Sequence, residues 1–146
     1  MAPDPIQRMR RPVVEVMTDR VVTVDMDDRL GVVRDIFQRV RFHHLMVLER
    51  ERLVGIISDR DLFAALSPYL GRVSETERDL ATLEKRAHQV MSRHPVTIGT
   101  ATTLGEALEC FNTSGMSCLP VVNDDGGVAG VMTWRDLVRA IGEILS

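Results

Sequence analysis

Two short segments of this 146-residue chain carry a hydroxyl and a carboxylate three positions apart, Ser58 with Asp61 and Thr133 with Asp136. If each hydroxyl residue starts a helix, positions i and i+3 share a face and the two groups converge. A carboxylate that accepts from two vicinal hydroxyls suits a ribose, and a hydroxyl beside free helix N–H groups suits a phosphate. The same spacing also describes an N-cap followed by a first-turn acid that favours the helix dipole. The two uses are compatible, because a capping hydroxyl can still face a ligand. Arg60 and Arg135 lie between hydroxyl and acid; their candidate uses are a phosphate, a neighbouring subunit or a surface ion pair.

His43 and His44 are the next residues with chemistry to offer. Adjacent residues of an extended strand point to opposite faces, and a metal needs further ligands at fixed geometry, so no metal site is expected. His43 is a candidate for hydrogen bonding or charge pairing with a phosphate, against a structural or solvated role. Cys110 and Cys118 have apolar neighbours and no His or Cys at metal-ligand spacing. They are expected to be reduced and buried, which fits a cytoplasmic compartment. A Gly-rich phosphate loop, a nucleophile elbow and a catalytically spaced His/Asp/Glu cluster are all missing from the sequence, so no enzyme is expected.

The elements that must position these residues occur twice. Val16-Met17-Thr18 matches Val90-Met91-Ser92, Leu45-Met46-Val47-Leu48 matches Leu119-Pro120-Val121-Val122, and Gly55 to Leu62 matches Gly130 to Leu137. The offset is constant except for one extra residue in the turn Asn123 to Gly127. Each copy reads as strand, helix, strand, strand, helix. The first strands are expected at Val21 to Val24 and Val96 to Ile98. The first helices carry apolar stripes through Leu30, Val33, Ile36, Phe37 and Val40, or Leu104, Ala107, Leu108 and Phe111. Their caps are expected at Asp27 or Asp28 and at Thr102 or Thr103, the latter with Glu106 in capping-box spacing. Hairpins over Leu45–Ile57 and Leu119–Met132 follow. The last helices run over Asp59–Leu66 and Trp134–Ile144, with Ser58 and Thr133 as caps. The boundaries expected are an arm over residues 1–12, irregular or crossing to the other half, repeat one over 13–67, a connector over 68–87 and repeat two over 88–146. Ser74 to Ala87 in the connector has a polar helical pattern.

Composition agrees with one ordinary domain's worth of chain. Hydrophobic residues make up 45% and charged residues 27%, enough to bury roughly two thirds of the unfolded surface. The 18 basic and 21 acidic residues leave a formal charge of -3, which argues against a dedicated nucleic-acid binder or a polybasic membrane-surface protein. No stretch approaches the roughly 18 apolar residues of a membrane span.

These ordered motifs resemble the CBS domain, and the chain resembles a stand-alone CBS pair, a Bateman module. The match rests on Val16-Met17-Thr18 and Val90-Met91-Ser92, on His43 to Val47 and Ser117 to Val121, and on Gly55 to Asp61 and Gly130 to Asp136. The resemblance implies an α+β fold of two pseudo-twofold β-α-β-β-α repeats packed through their sheets, with two clefts that bind adenosine-containing ligands: AMP foremost, then ADP, ATP or S-adenosylmethionine. It implies a ribose role for Asp61 and Asp136 and a phosphate role for Ser58 and Thr133. Val22, Thr23, Val96 and Thr97 match the first-strand region that lines the base pocket in the family, and His43, His44 and Leu45, with Ser117, Cys118 and Leu119, are the candidate binding residues of the second-strand signatures. It also implies homodimerisation and signalling to an effector protein. The alternative is a structural or protein-interaction module that binds no ligand. Trp134 in place of Asp59, Met46 in place of Pro120, and Arg41 and His43 in place of Gly115 and Ser117 predict two clefts of different chemistry. Trp134 is a candidate for stacking on a base or for packing against another subunit.

Overall fold

The β-branched and apolar runs of each repeat become a small sheet with helices packed on it, giving an α+β fold. The computed structural model describes residues 4–146. In chain order its elements are α1 (Pro5–Arg8), β1 (Thr23–Asp25), α2 (Leu30–Arg39), β2 (His44–Glu49), β3 (Arg52–Ser58), α3 (Asp59–Ala65), α4 (Glu77–Ala81), β4 (Ser92–Arg93), β5 (Ile98–Gly99), α5 (Leu104–Ser114), β6 (Cys118–Val122), β7 (Val128–Thr133) and α6 (Trp134–Leu145). Single 3-10 turns cover Val13–Glu15, Thr82–Glu84 and Ala87–Gln89.

The chain divides into two compact units. One is Val22–His94; the other combines the segment up to Val21 with Pro95–Ser146. In the first, the sheet order is β1-β2-β3-β4, with β1 parallel to β2 and the β2–β3 hairpin and β4 antiparallel. In the second, the order is β5-β6-β7, with β5 parallel to β6 and β6 antiparallel to β7. Thr18 bridges Val131 on the free edge of β7, as Ser92 pairs with Ile56 on β3. The opening motif of each sequence repeat is therefore built into the sheet of the other. Glycine makes this approach close: a Cβ on Gly130 would lie 2.7 Å from the Thr18 carbonyl oxygen, and one on Gly55 would lie 2.9 Å from that of Ser92.

Each unit has its own core. Val24, Leu30, Val33, Leu45, Val47, Ile57 and Leu62 fill one, and Val13, Leu104, Ala107, Phe111, Leu119, Met132 and Leu137 fill the other. The helical stripes supply these residues as their spacing predicts, except that Leu108 is exposed and Val40 falls just past the end of α2 in extended backbone. Thr103 caps α5 in a capping box with Glu106, and α5 ends on left-handed Gly115, φ 70°, a conformation glycine adopts without a Cβ clash.

Several expectations are corrected. Arg29, not Asp27 or Asp28, takes the N-cap position of α2, with no side-chain bond. The acids instead fold the preceding turn: Asp28 accepts from the Asp25 N–H at 2.8 Å, and Asp25 accepts from the Asp27 N–H at 2.9 Å. Val96 and Thr97 precede β5 rather than forming it. The connector pattern yields only five residues of α-helix, capped by Thr76 and Asp79, because its apolar positions find little core to cover: Leu80 stays exposed. The N-terminal arm is a short helix capped by Asp4. It docks on the second-repeat unit, where Met9 and Arg11 carbonyls accept from the Gly105 and Leu104 N–H groups, both at 2.9 Å. Cys118 is buried, but Cys110 is only half-buried.

Candidate functional site

In the first-repeat unit the site forms where β2 begins, β3 ends and α3 starts. His44 pairs directly with Ser58. Ser58 Oγ accepts from the Asp61 N–H at 3.0 Å, and Asp61 Oδ2 accepts from the Ser58 N–H at 3.0 Å. The capping explanation of this pair thus holds, yet it uses one carboxylate oxygen only: Asp61 Oδ1 makes no hydrogen bond among the described residues, and the residue is half-buried. Asp59 closes the rest of the helix start. Its N–H donates to the His43 carbonyl at 3.0 Å, its Oδ1 accepts from the Arg60 N–H at 2.8 Å, and its Oδ2 lies 2.9 Å from His43 Nδ1. The hydrogen bond with His43, then that from Arg60 N–H, holds the Asp59 carboxyl below its ordinary range. Burial pulls the His44 imidazole below its ordinary value, and the positive charge of a protonated His43 would add to that effect; Asp59 and Asp61 oppose it only in part. His44 therefore faces the acids as a neutral ring near pH 7.

The second-repeat unit has the same backbone and different chemistry. Cys118 pairs with Thr133, and Thr133 and Asp136 form the capping box at 3.2 and 3.0 Å. Here the Thr18 hydroxyl also donates to the acid, 3.2 Å from Oδ1 and 3.1 Å from Oδ2. Asp136 is 5% exposed, so both oxygens are committed in a buried setting. The counterpart of Thr18, Ser92, is exposed on β4 and makes no such bond. The Trp134 N–H donates to the Ser117 carbonyl at 3.2 Å. Trp134 has no carboxylate, so the contact of Asp59 with the Arg60 N–H has no counterpart here. The Trp134 ring packs 5.3 Å from Phe111, tilted by 33°.

Burial, reinforced by the Asp136 charge, pushes the Cys118 thiol up to about 12. Only the thiolate is nucleophilic, and at pH 8 roughly one Cys118 in ten thousand is ionised. Iodoacetamide at pH 8 is therefore expected to label Cys110 alone in the folded protein and both cysteines in denaturant, as read by peptide mass spectrometry.

The remaining candidates divide by depth. His43, Thr23, Arg60, Val96, Thr97, Ser117 and Arg135 are exposed, and Val22 is half-buried. Leu45 and Leu119 are fully buried in the cores, so their side chains support the site from beneath. The Arg60 and Arg135 guanidinium groups make no ion pair among the described residues. Thr23 pairs with Met46 on the neighbouring strand, two residues along from His44. Sequence reasoning missed two participants, Asp59 and Thr18. A first-turn acid beside Arg60 was a readable signal for Asp59; Thr18 had none, lying 118 positions from its partner. Among the described residues no cluster of His, Cys, Asp and Glu could hold a metal ion, and no helix is long and apolar enough to cross a membrane.

Two α+β units, each with a hydroxyl–carboxylate helix start beside a parallel strand pair, define the class of fold. The family model described as CBS domain matches residues 13–68 and 87–143, and the chain belongs to the CBS domain family, with two copies. A CBS domain-containing protein of Dictyostelium discoideum is 30% identical over 139 residues, covering 94% of this chain and 95% of the relative. Inosine-5'-monophosphate dehydrogenase of Methanocaldococcus jannaschii is 28% identical over 126 residues; the match covers 86% of this chain but 22% of that enzyme. Among solved structures, the Arabidopsis thaliana protein CBSX2 in complex with AMP has a TM-score of 0.76 at 25% identity, covering 92% of this chain and 98% of that one. A CBS domain-containing protein of Bacillus anthracis has a TM-score of 0.79 at 20% identity, covering 96% and 99%.

Proposed function

We propose that this chain is a regulatory module that binds an adenosine-containing ligand at the first-repeat site and reports its occupancy to a partner. The observation that carries this reading is the uncommitted Oδ1 of Asp61, beside a capping hydroxyl and a neutral imidazole. It is an acceptor for the vicinal hydroxyls of a ribose, in a chain of the family to which AMP-bound CBSX2 belongs. Asp136 is the weaker candidate, because Thr18 already occupies its oxygens. A ligand that binds only the folded state stabilises it by mass action, and one with differential affinity for two arrangements shifts their populations. AMP, ADP, ATP and S-adenosylmethionine all carry the ribose this site would hold.

A second reading has its own support. Trp134, Val138 and Leu145 on α6 are exposed at helical spacing, and so is Phe63 on α3; apolar faces of this kind suit a homodimer or another protein partner.

Isothermal titration of nucleotide-free protein with adenosine, AMP, ADP, ATP and S-adenosylmethionine separates the two. Saturable binding is expected, weakened about 10–100-fold by Asp61→Ala through loss of a charged hydrogen-bond acceptor. Absence of heat with every compound, together with a dimer mass by light scattering, would favour the interaction module.

A further inference from the structure

We propose that Asp59 sets the first-repeat site against phosphate, so that it favours adenosine compounds with a neutral or cationic 5′ substituent over nucleotides; this rests on the adenosine reading above. A phosphate at a helix start needs free N–H donors and a field that tolerates negative charge. Neither is on offer. The N–H groups of Ser58, Asp59, Arg60 and Asp61 are all spent, on Asp61 Oδ2, the His43 carbonyl, Asp59 Oδ1 and Ser58 Oγ. The Asp59 carboxylate sits where a phosphate oxygen would have to go, on the Arg60 N–H.

Charge acts in the same direction. Asp59 and Asp61 both face this helix start, and His44 opposes them only as a neutral ring. His43, with a side chain 78% exposed, is already turned to Asp59. Arg60, the cation within this turn, is exposed. Asp59 and Asp61 lie two positions apart, about 3 Å along the helix axis, and both act electrostatically on His44, so an anionic 5′ substituent on a ribose held by Asp61 would meet their field. The chain contains its own comparison: Trp134 replaces Asp59 in the second repeat, and the Asp59–Arg60 contact has no counterpart there.

The test is titration calorimetry at pH 8, above the ordinary imidazole range, with adenosine, S-adenosylmethionine and AMP against wild type, Asp59→Asn and Asp61→Ala. Only binding that Asp61→Ala weakens by about 10-fold or more is assigned to this site. Wild type is expected to bind adenosine or S-adenosylmethionine about 10-fold more tightly than AMP, and Asp59→Asn to tighten AMP about 10-fold relative to adenosine. Raising salt is expected to narrow the wild-type preference. Asp61-dependent AMP binding as tight as that of adenosine overturns the inference and leaves the adenosine reading standing. A preference that persists unchanged in folded Asp59→Asn removes the role of Asp59. No Asp61-dependent binding of any probe overturns both.

Discussion

Gly130→Ala is expected to destabilise the second-repeat unit by about 3 kcal/mol, near the upper end of overpacking penalties. The new methyl would meet the Thr18 carbonyl oxygen at 2.7 Å and Met17 Sδ at 2.7 Å. A flexible thioether can move aside, but the carbonyl belongs to a paired segment. The Thr18 N–H donates to the Val131 carbonyl at 2.9 Å, and the Val131 N–H donates back to Thr18 at 2.8 Å. Displacing that segment also withdraws the Thr18 hydroxyl from Asp136, leaving a buried carboxylate short of a donor, itself a cost of about 1–3 kcal/mol. Urea denaturation of the variant beside Gly142→Ala gives the comparison. Gly142 lies in α6 with nothing near its Cβ position, so alanine there should hold or raise stability, by up to about 1 kcal/mol. Equal midpoints for Gly130→Ala and wild type would show that the segment is not held as described.

Phe111→Ala should cost about 3–5 kcal/mol, the range for truncating a fully buried aromatic. Phe111 is 1% exposed and packs in the core with Leu104, Leu119 and Leu137. Its ring also backs Trp134, the single tryptophan of the chain. Truncation is therefore expected to lower the unfolding midpoint and to change native tryptophan emission, because the indole loses its neighbour. Phe63→Ala, at a residue 69% exposed, should leave both nearly unchanged. A Phe111→Ala variant with native stability and native emission would contradict the packing of α5 against the start of α6.

Most of the local architecture is legible in the sequence. Helix stripes through Leu30 and Val33 or Leu104 and Phe111 reflect a 3.6-residue period, and the β2–β3 and β6–β7 hairpins follow from apolar runs around turn residues. The capping boxes Ser58–Asp61 and Thr133–Asp136 are i, i+3 interactions within one helical turn, so their spacing alone predicts them. The α2 cap was harder to read, because Asp25, Asp27, Asp28 and Arg29 compete within one turn and side-chain bonds to the preceding loop took the acids. The connector pattern failed because helical periodicity without a core to cover stabilises only a short segment.

The chain's repeats, the helix starts that carry Ser58–Asp61 and Thr133–Asp136, and its membership in the CBS domain family were determined by the sequence itself, since each rests on residues close together or on motifs in fixed order. The difference between the two sites was decided by tertiary structure. Exchange of the opening motifs brings the Thr18 hydroxyl onto Asp136 and leaves Asp61 with a free oxygen, and strand register turns His43 onto Asp59. Such contacts depend on which edge a distant segment pairs with, and no local spacing encodes that pairing.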